Sequence, residues 1–212
     1  EPIQGEGGIL PVPDQCLKGL RDCCDENGIL LIFDEIQCGM GRTGKLFAHE
    51  WAGVEPDIMA IAKGIGGGFP LGACLATSNA AECMTAGTHG STYGGNPLAT
   101  AVGLEVMRHV NTPAFLNNVN FLATNFRQSL EALVANHPTI FKSVIGSSLM
   151  LVIECVVPNI DVVNNGYDNK ILTVPGGANV IRLLPALNVS MNELKEATQR
   201  LSATASKLEA SL

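Results

Sequence analysis

Apolar residues along this chain follow two rhythms. At Cys16, Leu17, Leu20, Cys23 and Cys24 they come three and four apart, which makes one stripe of a helix. Asp14 stands ahead of the stripe as an N-cap and Gly28 behind it as a stop, so a helix is predicted over 14–27. Residues 29–33 are apolar without interruption, as in a strand buried on both faces. Shorter runs at 58–62 and 71–76 read as two more strands. Pro97 opens a predicted helix to about 110, with Leu98, Val102, Leu104, Val106 and Met107 on its apolar face, and Thr112-Pro113 starts another to about 136. Beyond it, 149–157, 171–174 and 180–184 read as strands and 159–169 as a polar surface turn. Ser190-Met191-Asn192-Glu193 is a capping box that opens the last helix. Residues 1–13, rich in glycine and proline, read as a loop.

Strands alternating with helices imply an α/β fold with a mostly parallel sheet. The second half reads as α+β, with a domain boundary expected near 110, giving 1–110 and 111–212. The chain is 46% apolar and 16% charged, enough to build a core. Its net charge of −7, without a basic cluster, argues against nucleic acid or an anionic membrane as partner. No apolar run is long enough to span a bilayer. Seven cysteines, none in a C-x-x-C pair and none near a histidine cluster, argue against zinc and against a disulfide framework. Reduced, mostly buried thiols in a cytoplasmic protein fit that pattern, with no metal site expected. The first residues lack the pattern of a signal peptide and there is no initial Met, so a longer parent chain is expected.

Candidate chemistry centres on Lys63. It follows an apolar run and precedes the glycine-rich Gly64-Ile65-Gly66-Gly67-Gly68. A lysine buried at a strand end loses its charge easily, and the neutral amine attacks carbonyls. Asp34 ends the apolar run at 29–33 in the same way. A lysine and an aspartate at neighbouring strand ends suit pyridoxal phosphate: one holds the aldehyde as a Schiff base, the other keeps the ring nitrogen protonated. The plain alternative makes Asp34 a strand-end turn residue and leaves Glu35 solvated. Gln37 has an amide that can donate to a phenolate oxygen. His89-Gly90-Ser91-Thr92 supplies hydroxyl and backbone donors for phosphate just ahead of a helix. His49, His109 and His137 read as surface or satisfied core residues. Arg182, inside an apolar strand, needs a carboxylate, either from a structural salt bridge or from a substrate, and Glu6 is one candidate partner. Gly39-Met40-Gly41-Arg42-Thr43-Gly44-Lys45 has the glycine spacing of a nucleotide-binding P-loop, but Leu46 stands where a hydroxyl must hold the metal.

Four ordered stretches together closely resemble the class III, fold type I, pyridoxal-phosphate aminotransferases. They are Glu1-Pro2-Ile3-Gln4-Gly5-Glu6-Gly7-Gly8, Phe33-Asp34-Glu35-Ile36-Gln37-Cys38-Gly39-Met40-Gly41-Arg42-Thr43-Gly44, Ala62-Lys63 with its glycines, and His89-Gly90-Ser91-Thr92-Tyr93-Gly94-Gly95-Asn96-Pro97. The resemblance implies the second half of a large cofactor-binding domain, 1–110, followed by a small α+β domain, 111–212. It implies that Lys63 binds the cofactor and moves protons, that Asp34 pairs with the ring nitrogen, and that Gln37 contacts the phenolic oxygen. Thr92, with Ser91 beside it, would bind the phosphate in the neighbouring subunit of a homodimer with shared active sites. Arg182 would clamp the carboxylate of glutamate or 2-oxoglutarate, and Glu6 would pair with it when that substrate is absent. Within the class the wording is most similar to members of arginine biosynthesis that use N-acetylornithine. Succinylornithine, ornithine and 4-aminobutyrate are alternative donors, and an inactive structural partner is the alternative from another class. The chain begins about halfway through the family's pattern, so this half alone is expected to be inactive. Ile145 and Ser148 depart from the arginine-glycine turn and second glycine usual in the family.

Overall fold

A computed structural model describes residues 1–212. It contains strands β1 (Ile3–Gln4), β2 (Leu10–Pro11), β3 (Ile32–Asp34), β4 (Ile58–Ile61), β5 (Ala73–Ala76), β6 (Phe141–Ser147), β7 (Met150–Cys155), β8 (Val174–Gly176) and β9 (Val180–Leu183). The helices are α1 (Asp14–Asn27), α2 (Pro97–Val110), α3 (Pro113–Asn136), α4 (Asn159–Asp168) and α5 (Met191–Glu209). The chain divides into two compact units, Glu1–Pro2 with Val12–Leu116, and Ile3–Pro11 with Asn117–Leu212. Residues expected as a leading loop thus supply the β1–β2 strand pair of the second unit.

The first unit is built on the sheet β3-β4-β5. β3 and β4 run parallel and β5 returns antiparallel, so the mostly parallel sheet is here one parallel and one antiparallel pair. Helix α1 ends at Gly28, which takes the left-handed conformation expected of a stop, but Pro13 rather than Asp14 is its N-cap residue. Helix α2 starts on Asn96, whose side chain accepts the Ala99 N–H, and Thr112 does the same for Phe115 ahead of α3. Leu17, Leu31, Phe33, Ala52 and Val54 form one buried cluster, and Met40, Met59, Ile61 and Ile65 a second.

The run at 29–33 is not buried on both faces. Ile29, Leu30 and Ile32 are exposed, and only Leu31 and Phe33 face the core. β3 is an edge strand whose second face is uncovered in these residues. Nor are the cysteines mostly buried: Cys16, Cys23, Cys74 and Cys83 are exposed, and only Cys38 and Cys155 are buried. All seven are free thiols. Burial pushes the Cys155 thiol up to about 12, so it stays protonated.

The second unit is an antiparallel sheet in the order β6-β7-β9-β8, with α3, α4 and α5. β7 is its central strand and almost wholly buried. β6 has no counterpart among the predicted strands: most of it is half-buried, so its apolar pattern is faint. α4 replaces the predicted surface turn. Its asparagines are poor helix formers, but Val162 and Val163 fall on one face and are buried, so packing overrides propensity. At α5 the expected capping box is present, with Ser190 accepting the Glu193 N–H and Glu193 accepting the Ser190 N–H.

Two features of this unit give tests. Ser148, one of the departures from the family pattern, lies at φ 50 with its hydroxyl buried and unpartnered. Ser148→Gly is expected to raise stability by about 1 kcal/mol, because left-handed backbone costs a side-chain-bearing residue about that much. The check is the urea midpoint; a lowered midpoint would mean that the serine holds the turn. Elsewhere, His137 lies with Nδ1 3.0 Å from Glu209 and Nε2 2.8 Å from Ser202, tying the end of α3 to α5. The hydrogen bonds from His137 and Thr139 hold the Glu209 carboxyl below its ordinary 4.5. That contribution is complete above the ordinary value and lost as pH falls through the lower folded value. Melting temperature is expected to drop on acidification below about pH 5, less steeply in Glu209→Gln. Parallel acid slopes for the two proteins would contradict the linkage.

Candidate active site

The register of β3 and β4 places Asp34 opposite Ala60 in parallel strands. Lys63 comes three residues after Ala60, in the 3-10 turn Lys63–Gly66. Both residues therefore lie at the carboxyl ends of adjacent parallel strands, where α/β sheets present ligand-binding groups. The turns that follow pack closely. A side chain on Gly64 would meet Met40 Cβ at 2.9 Å, so the glycine lets the lysine turn approach the turn that follows Asp34. Lys63 itself has φ 48, a costly conformation for a side-chain-bearing residue and one that functional sites often hold.

Lys63 is exposed rather than buried, because it lies beyond the end of β4 in the open turn. Asp34 is also exposed; its Oδ1 accepts the Ile36 N–H at 2.9 Å. Gln37 is half-buried and its Oε1 is buried without a hydrogen-bond partner. An amine, a carboxylate and an unsatisfied amide thus gather around two strand ends. The Lys63 amine, the Asp34 carboxylate and the Gln37 side-chain NH2, which is the amide's donor, fit an aromatic aldehyde bearing a basic ring nitrogen and a phenolic oxygen, which is the chemistry of pyridoxal phosphate.

Glu35 is a residue that the sequence reading missed. It is not solvated but fully buried. Its carboxylate accepts the Ala48 N–H at 2.9 Å and the His49 N–H at 2.8 Å, with His49 Nδ1 at 2.9 Å and Cys38 Sγ at 3.2 Å. Burial raises its pKa, but these donors outweigh burial and hold the carboxyl below its ordinary range. Histidine readings hold at all three positions: His49 and His137 are buried and hydrogen-bonded, and His109 lies exposed on the surface. The stretch with P-loop spacing forms a series of turns leading to the short 3-10 turn Ala48–Trp51, with no α-helix at its end. Burial there pushes the Arg42 guanidinium down to about 10.

Ser91 and Thr92 are exposed, in the segment ahead of α2. Ser91 Oγ accepts the Gly94 N–H, and the α2 cap is filled by Asn96. No hydrogen bond or ion pair joins this pair to Asp34 or Lys63.

In the second unit Arg182 lies on β9, opposite Val152 of β7 and Val174 of β8. It forms no ion pair, and its Nε is buried without a partner, so the structural salt bridge is not formed. Glu6 is exposed and unpaired, but its carbonyl accepts the Gly177 N–H at 3.0 Å, which docks the loop at 5–9 on the β8–β9 hairpin. Buried Ile9, at φ 52, fixes the end of that loop.

Comparisons with known proteins bear on the family of the chain. The family model for "Aminotransferase class-III" matches residues 1–205. The acetylornithine aminotransferase of Rhodobacter capsulatus is 59% identical over 209 residues, which is 99% of this chain and 53% of that protein. That of Mesorhizobium japonicum is 57% identical over 98% of the chain and 52% of its own length. Among solved structures, the N-acetylornithine aminotransferase of Stenotrophomonas maltophilia superposes with a TM-score of 0.90 at 36% identity, over all of this chain and 56% of that one. The ornithine aminotransferase of Toxoplasma gondii gives 0.92 at 32% identity, over all of this chain and 51% of that one. The chain spans about half the length of the curated relatives it matches. With its α/β architecture and four motifs, it belongs to the class III aminotransferase family.

Proposed function

We propose that the intact protein is a pyridoxal-phosphate-dependent transaminase of arginine biosynthesis, located in the cytoplasm, that moves an amino group between N-acetylornithine and 2-oxoglutarate. The observation that carries the chemistry is the Asp34–Ala60 register, which sets Asp34 and Lys63 at adjacent strand ends. When bound, pyridoxal phosphate supplies an aldehyde that captures amines and a ring that stabilises negative charge on the carbon beside the nitrogen. Lys63 would hold the cofactor through its aldehyde group and, when free, its Nζ would move the proton on the substrate carbon that bears the amine. Asp34 keeps a proton on the ring nitrogen through its charge, and Gln37 orients the ring through its phenolic oxygen. Ser91 and Thr92 hydroxyls bind the phosphate. In a homodimer they serve the neighbouring subunit's site, a role supported by their exposure here.

Arg182 takes a carboxylate of glutamate or 2-oxoglutarate, and Glu6 neutralises it when the other amino donor is bound. The unpaired guanidinium supports this role. The acetylated donor rests on the two relatives named for it; the likeness to ornithine aminotransferase favours ornithine as a second reading. The test compares amino donors in the intact protein. N-acetylornithine is expected to have the highest kcat/KM, and a preference for ornithine would replace the first reading with the second. Arg182→Ala is expected to raise the KM for glutamate about 10–100-fold, the worth of hydrogen bonds to a charged group. An unchanged glutamate KM would overturn the assignment of Arg182.

A further inference from the structure

The proposed chemistry leaves one buried charged group unused. Glu35 stands between Asp34 and Gln37 in the chain, and its side chain points into the protein. Each of its oxygens receives two donors. Oε1 faces the His49 N–H and His49 Nδ1, while Oε2 faces the Ala48 N–H and Cys38 Sγ. Three of these four donors come from the 3-10 turn Ala48–Trp51, and the fourth from the turn that carries Gln37. The His49 ring is stacked on Phe47, with centroids 5.8 Å apart and planes at 10°, and lies 6.0 Å from Phe33, so it is not free to turn away.

The main chain of Glu35 is held as firmly. Its N–H donates to Ala60 O at 2.9 Å, continuing the β3–β4 ladder one residue past Asp34. Its carbonyl accepts the Gly39 N–H at 2.9 Å, closing the turn over Gln37. The residues on either side are thereby fixed in opposite senses: Asp34 outward at the strand end, Gln37 inward within the turn.

We infer that Glu35, gripped by Ala48, His49 and Cys38, is the positioning residue that holds Asp34 and Gln37 in place for the pyridoxal ring. This rests on the cofactor proposed above. Glu35 touches no reacting atom and acts only through its neighbours. Glutamine has nearly the same shape but only one acceptor oxygen, so its amide NH2 would face a pair of donors. Asp34 and Gln37 then lose their fixed geometry.

The experiment measures pyridoxal phosphate affinity, and the pH midpoint of the visible absorbance of the lysine-bound cofactor, in the intact protein and in Glu35→Gln. Affinity is expected to fall about 10–100-fold, by analogy with the loss seen when a group that orients a metal ligand is removed. The midpoint is expected to shift, because the charge beside the ring nitrogen has moved. In an Asp34→Asn background the Glu35→Gln loss is expected to shrink, since both act through one contact. A purely structural Glu35 lowers the melting temperature but leaves affinity and midpoint unchanged in molecules that fold; that result overturns the inference. If Glu35→Gln does not fold, His49→Gln keeps both backbone donors and replaces only the ring. A shifted midpoint there supports the inference and an unshifted one overturns it. Wild-type protein that binds no pyridoxal phosphate would overturn the proposed function and this inference together. Wild-type binding with unaltered variants would overturn this inference alone.

Discussion

Lys63→Ala is expected to abolish amino transfer, lowering kcat by at least about 10⁴-fold in the intact protein. Proton transfer by a positioned base is worth up to about that much by itself, and the variant also loses the covalent anchor for the cofactor aldehyde. Fold and stability are expected to change little. Lys63 is exposed and strained, and no ion pair depends on it. Removing a side chain does not remove the left-handed backbone, so alanine inherits φ 48 without a further penalty. The check is a rate assay beside a urea denaturation curve. Addition of a small primary amine is expected to restore part of the proton transfer, because the missing group is then supplied from solution. Retained activity in the unrescued variant would move the base elsewhere. Loss of activity together with loss of folding would make Lys63 a structural residue.

The largest effect on stability is expected at Gly146. It has φ 120, and a Cβ there would lie 2.1 Å from Met150 O, 3.0 Å from Leu151 Cα and 3.1 Å from Ile9 Cγ2. The first two are backbone atoms of the central strand and its start, which cannot give way as a flexible side chain can. Strained backbone costs about 1–3 kcal/mol, and overpacking a tight site adds about 1–3 kcal/mol. Gly146→Ala is therefore expected to cost about 2–6 kcal/mol, a large part of the stability of a typical domain. Gly19, in the interior of α1, is the opposite case: nothing lies within 4 Å of the place a methyl group would take. Gly19→Ala is expected to stabilise by about 0.5–1 kcal/mol, since alanine suits a helix better. Urea midpoints of the two variants check the pair. Equal midpoints would contradict the packing described around the β6–β7 turn.

The site was more legible in the sequence than the burial around it. An apolar run ending in Asp34, and another ending just before Lys63, gave strands whose ends line up once the two pair in parallel. Helix limits were clear where proline and caps mark them, at Pro97, Pro113 and Ser190. What could not be read depends on partners distant in sequence. The exposure of Ile29, Leu30 and Ile32 is decided by which layers cover β3, and an apolar run carries no record of that. The helix at Asn159–Asp168 is driven by burial of Val162 and Val163 against the propensity of its asparagines. The burial of Glu35 depends on donors thirteen and fourteen residues on, two of them backbone N–H groups that leave no mark in the sequence. The exposure of Lys63 follows from a turn that ends the strand one residue before the apolar run itself stops.

The most direct measurement is reductive trapping. The intact protein is incubated with pyridoxal phosphate, reduced with borohydride, digested and mapped by mass spectrometry. The expected result is one modified lysine, Lys63, with the label lost when N-acetylornithine is added before the reductant. Label on a different lysine, or none at all, would contradict the assignment of Lys63 and with it the proposed transaminase chemistry.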